Sequence, residues 1–214
     1  MDRPFSSRPR LAGTTYLAII CCGIFAEGYS RGSLIVPDDA TATAARISAD
    51  LGLFRAGRLA DSVMHLADVT VAVVFFRLLR PHGAPLARIA LILRLFQAAT
   101  ILGGLTRLWA VFPALAADAP ARVMTLLEAH GLIYDIGLIF FAGNCFAMSV
   151  LLRRSGGVPT LIAWGIGASG LVYLTGSLVH FFAPTVLLYV EPAYLVPLVS
   201  ETALALWLVV RGRI

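Results

Sequence analysis

Asp61, His65 and Asp68 lie four and three positions apart inside a stretch that is otherwise almost wholly apolar. Residues at these separations are neighbours on a helix, so all three share one face. A charged side chain at bilayer depth costs roughly 2.5 to 3.5 kcal/mol on insertion scales, so such a stripe must face a protein interior, water or a partner. Titratable groups converging in a water-poor setting are what bind polar ligands and move protons. His65, Asp68 and Asp61 are therefore the candidate catalytic groups, with His65 and Asp68 the foremost pair.

Other apolar stretches carry polar residues of the same kind. One holds Arg94 and Gln97, and the next holds Glu128, His130, Tyr134 and Asp135. Tyr173, Ser177 and His180 repeat the steps of four and three, and Glu201 follows Pro197 by four. Glu27 and Arg31 form an i,i+4 pair that neutralises itself near an interface. At about 1.5 Å of rise per residue from each stretch's centre, Asp68 and Glu201 fall near the midplane and Arg94 about 6 Å inward. Most of the remaining acids and histidines fall in the outer half. This distribution predicts a polar cavity open to the outside. Its expected walls are Glu27, Asp61, His65, Asp68, Arg94, His130, Tyr134, Asp135, Tyr173, Ser177 and Glu201. Arg94, paired with Asp68 or Glu201, would close it below, because an unpaired guanidinium in hydrocarbon is costly.

Three chemistries compete for that cavity. The first is binding or transport of a small hydrophobic or amphiphilic ligand or lipid. The second is metal-dependent hydrolysis, in which His65, His130 and His180 would hold a zinc ion and Asp61 or Asp68 would act as base. The estimated histidine depths differ by up to about 9 Å, which strains a shared metal. The third is a haem-binding or non-enzymatic sensor subunit, with His130 and His180 as the nearest approach to axial ligands. No cofactor is expected, and zinc and haem are the alternatives.

The elements that position these residues follow from composition. Of 214 residues, 59% are hydrophobic and 14% charged, where a soluble domain has about 25% charged. Six stretches, at about 11–28, 59–79, 86–112, 124–152, 158–182 and 193–210, meet the requirement of about 20 apolar residues for a spanning helix. The fold class is all-α: a polytopic six-helix membrane bundle, 1–214, with no separate soluble domain. Asp38 and Asp39 precede an Ala/Thr-rich run ending near Gly52, which predicts a short capped helix on the outer surface between the first two spans. Ile47, Leu51 and Phe54 recur along it at helical spacing. Cys21, Cys22 and Cys145 lie within apolar stretches at spacings that suggest neither disulfides nor a thiolate metal site.

The net charge is +5, and every basic residue is arginine. The arginines cluster between spans, as topology signals rather than a nucleic-acid surface. Arg3, Arg8 and Arg10 at the start, Arg77, Arg80 and Arg88, then Arg153 and Arg154, and finally Arg211 and Arg213 fall on one side of a six-span arrangement. The positive-inside rule puts both termini in the cytoplasm. The expected location is a bacterial cytoplasmic (inner) membrane. Its partners would be the lipid bilayer and a small ligand, with no nucleic acid, and the pattern is compatible with a homo-oligomer.

Several stretches carry a resemblance. They are Tyr16 to Val36 (YLAIICCGIFAEGYSRGSLIV), Phe54-Arg55 with the acidic span that follows, and Arg94 to Ala98 (RLFQA). His130 to Phe141 (HGLIYDIGLIFF), Ser155 to Pro159 and Glu201 to Gly212 (ETALALWLVVRG) complete them. With these the chain resembles the bacterial integral membrane proteins of the domain-of-unknown-function family 4386. The resemblance implies a six-helix membrane protein and no particular reaction. Similar sequences carry a histidine just after the Phe-Phe-Ala-Gly run, where this chain has Asn144 and Cys145.

Overall fold

The computed structural model describes residues 7–214; Arg3, counted among the N-terminal basic residues, lies outside them. Among the described residues all regular structure is helical. Six helices are long and apolar enough to cross a membrane. The first, α1, is α-helical over Ser7–Gly23, π-helical over Ile24–Arg31, and ends in a turn at Gly32–Leu34. A short surface helix, α2 (Ala40–Ala49), follows, then α3 (Leu51–Leu79), α4 (Ala84–Ala116), α5 (Pro120–Ser155) and α6 (Thr160–Phe182). Short helical turns over 184–194 lead into α7 (Leu195–Arg211).

Each spanning helix packs chiefly on its neighbours in sequence, and α7 closes back onto α1. The spans therefore form a ring, with sparse contact across its middle. The α1–α7 closure is tight: a methyl group on Gly13 would lie 2.6 Å from the Ala205 carbonyl and 2.9 Å from Leu208 Cβ. This contact sets the start of α1 beside the end of α7, at the same end of the ring. The Trp207 indole donates to the Gly157 carbonyl at 3.0 Å, which brings the α5–α6 link to that end too. The α3–α4 link turns at Gly83 with φ +156°, and there a side chain would press on Arg154 and Leu151.

Several ends of the elements differ from expectation, and capping explains the start of α3. α3 begins at Leu51, eight residues before the expected 59. There Asp50 Oδ1 accepts from the Leu53 amide at 2.9 Å and starts a new helix. Ile47 and Phe54, expected on one helix, therefore sit on two helices either side of that cap, yet both are buried. They enter one apolar cluster with Leu108, Val111 and Val123, so α2 covers one end of the bundle. α2 is capped by Asp39, whose Oδ1 accepts from the Ala42 amide at 2.8 Å. α1 runs on to Leu34 instead of 28, α5 starts at Pro120 instead of 124, and α4 continues past Pro113 to Ala116 instead of stopping at 112. A second apolar cluster, including Phe75, Leu79, Leu151 and Leu208, fills the opposite, arginine-rich end.

Candidate ligand-binding cavity

The ring surrounds a cavity of about 330 Å³, lined in part by Tyr16, Ile19, Met64, Leu138 and Phe141 of the second cluster. All six spans contribute to it, together with Tyr194 just before α7. Its floor is polar. Arg94 donates to Asp68 Oδ1 from Nη2 at 2.6 Å and from Nε at 3.1 Å. Gln97 adds a bond to Asp68 Oδ2 at 3.2 Å. Beside this pair, Glu201 accepts from the Tyr16 hydroxyl at 2.8 Å on one oxygen and from the Tyr173 hydroxyl at 2.7 Å on the other. Asp68, Arg94 and Glu201 are all buried, at 3%, 3% and 6% exposure. The Arg94 guanidinium also stacks 4.9 Å above Phe141 and 5.1 Å from the Tyr16 ring, which fixes its orientation. The walls are apolar: Ile19, Ile20, Met64, Leu138 and Leu198.

The upper part of the cavity runs along the π-helical part of α1, where Ile24, Glu27 and Gly28 line it. π-helical segments inside longer helices recur at functional sites. Glu27 stays exposed while accepting from Arg31 at 2.5 Å, and Arg31 also donates to Asp61 at 2.6 Å. One buried guanidinium thus holds two acids, where the sequence suggested that Glu27 and Arg31 neutralise each other.

Of the expected wall residues, Glu27, Asp68, Arg94, Tyr134, Tyr173 and Glu201 do line the cavity. Asp61, His65, His130, Asp135 and Ser177 do not. His130, Asp135 and Ser177 are expected there from depth, which does not say which way a residue faces around its helix, and Asp61 and His65 from the face they share with Asp68, of which only Asp68 reaches the cavity. Asp61 is held by Arg31. His65 is buried between helices with its Nδ1 3.8 Å from Asp68, beyond hydrogen-bond range, and among the described residues neither ring nitrogen has a hydrogen-bond partner. The foremost pair therefore splits: Asp68 is on the cavity floor and His65 lies behind it. His130 is also buried without a partner and packs against Gly104 and Tyr134. Asp135 accepts from the Ser177 hydroxyl at 3.1 Å and contacts His180 through its other oxygen. The serine bonds the acid rather than the imidazole, so this trio does not form an activated nucleophile.

The three histidines proposed for zinc are therefore dispersed, each with different surroundings. Among the described residues no three His, Cys, Asp or Glu side chains converge to hold a metal ion. The cavity also uses residues not expected there: Tyr16, Gln97 and Tyr194. A lone tyrosine in an apolar span reads as packing; only the distant Glu201 reveals its hydroxyl as a donor. Asn144, at the position where similar sequences carry histidine, donates to the Ala90 carbonyl at 2.8 Å and ties α5 to α4 below the cavity.

A protein of Archaeoglobus fulgidus described as uncharacterized is 26% identical over 148 residues, covering 69% of this chain and 78% of that one. No solved structure matches. The model of the family described as "Domain of unknown function (DUF4386)" matches residues 11–212. That match runs from the first span to the last and takes in every residue of the cavity, so the chain belongs to this family of domain of unknown function DUF4386.

Proposed function

We propose that the helix ring binds a small amphiphile or lipid in this cavity, which opens to the outer side of a bacterial cytoplasmic membrane. The observation that carries the reading is the cavity itself. Its volume lies in the range of small-molecule sites, which are mostly apolar with a few convergent polar groups. The walls suit an alkyl or aryl body, and the Asp68–Arg94–Glu201 floor suits a polar head. Below the floor, Phe75, Leu79, Leu151 and Leu208 are closely packed. This conformation serves binding, and passage to the other side would require that plug to part. The orientation rests on the arginines gathered at the end of the ring where α1 starts and α7 ends, which is the cytoplasmic end under the positive-inside rule.

Photolabelling tests the reading. Dodecanol carrying a diazirine is added to the purified protein, and adducts are mapped by mass spectrometry. Adducts are expected on Ile20, Leu138 and Leu198. They should disappear in Gly28→Trp, a plug at a cavity position where an added Cβ meets nothing within 4 Å. Adducts confined to lipid-facing residues such as Leu59 and Leu66, unchanged by the plug, would refute the cavity as a binding site.

A further inference from the structure

The charges of the cavity do not balance. Three carboxylates line it, Glu27, Asp68 and Glu201, and one guanidinium, Arg94. Arg94 is held by Asp68 through two hydrogen bonds. Among the described residues the hydrogen-bond donors to Glu201 are neutral, the hydroxyls of Tyr16 and Tyr173. A buried charge in a membrane interior is normally paired, so an ionised Glu201 has a place for one more positive charge. Above it, Arg31 bonds both Glu27 and Asp61, so no acid there lacks a guanidinium. A path lined this way raises the local concentration of cations and repels anions. Aromatic rings complete the picture. Tyr173 packs on Phe141 and on Tyr194, with ring centroids 5.2 and 5.9 Å apart, and all three line the cavity with Tyr134. Aromatic faces beside a carboxylate are what hold organic ammonium groups. Arg94 already uses the Tyr16 and Phe141 rings in this way.

We propose that the ligand is an organic cation, an amphiphilic amine or quaternary ammonium compound, whose positive charge is bound by Glu201 within the tyrosine-lined floor. This rests on the binding role proposed above and adds the class of ligand to it. An anionic head would meet Glu201, the lining carboxylate bonded by hydroxyls and not by a guanidinium. A neutral head would leave Glu201 uncompensated.

The test compares three dodecyl diazirine probes that differ only in their heads: hydroxyl, trimethylammonium and sulfate. In the wild type the trimethylammonium probe should label Leu138 and Leu198 at about tenfold lower concentration than the sulfate probe. Glu201→Gln should abolish that preference while the hydroxyl probe still labels the cavity, which also reports that the variant is folded. Tyr173→Phe keeps the carboxylate and should keep the preference, so a Glu201→Gln variant that fails to fold still leaves a test. Equal or stronger labelling by the sulfate probe, or a cation preference that survives Glu201→Gln, would overturn the proposal. If the hydroxyl probe labels the cavity in either case, the binding reading stands without the cation; if no probe labels it, both fall.

Discussion

Arg94 and Asp68 are buried together near the middle of the membrane, and each makes the other tolerable. Removing one partner of a buried pair strands the other, at about 3 to 5 kcal/mol, whereas removing both is far milder. Arg94→Leu should therefore lower the melting temperature in detergent sharply, and Arg94→Leu with Asp68→Asn should recover much of the loss. A double variant no more stable than the single one would contradict the pairing. Tyr16→Phe should leave one Glu201 oxygen without its donor and cost about 1 to 3 kcal/mol, measured as a loss in the same melt. Much of this was legible in the sequence, because charge inside an apolar span demands a partner, and only a few residues at similar depth could supply one. The tyrosine donors were not legible. A phenol in a span is ordinary packing until the acid it meets, 185 residues away for Tyr16, is brought beside it.

At the scale of elements, capping and covering decide the end of the bundle under α2. Asp39 and Asp50 each cap a helix through a backbone amide. Asp50→Ala should cost about 1 kcal/mol. Ile47→Ala, which opens space under α2, should cost about 2 to 5 kcal/mol. Thermal unfolding of the two variants should rank them in that order. If Ile47→Ala costs less than Asp50→Ala, α2 does not cover the bundle as described. The capping aspartates and the helix between the first two spans could be read directly from residue type. The position of Asp50 as a break between two helices could not, since Ile47, Leu51 and Phe54 keep a helical spacing across it. The π-helical stretch of α1 has no apolar signature either, because Ile24–Arg31 is as compatible with an ordinary α-helix. It shapes the upper cavity through backbone geometry, to which hydrophobic periodicity is blind.

At the scale of the whole molecule, six spans, each on its sequence neighbours, close into a ring, and the ring leaves space in the middle of the membrane. The number of spans followed from apolar length alone. The rotation of each span about its axis did not, which is why Asp68 and Glu201 reach the cavity while His65 and Ser177 face other helices. An outward opening requires that a side chain deep in the cavity, but not one facing lipid, be reachable by a water-soluble reagent from outside. In a protein with Cys21, Cys22 and Cys145 replaced by alanine, Leu138→Cys on the cavity wall and Leu66→Cys on the lipid face form the pair to compare. Intact cells treated with a membrane-impermeant trimethylammonium methanethiosulfonate should show modification of Leu138→Cys and none of Leu66→Cys, with Gly28→Trp suppressing the reaction. Leu138→Cys that stays unmodified from outside, or reacts only when the reagent is given from the cytoplasmic side, would contradict an outward-opening cavity.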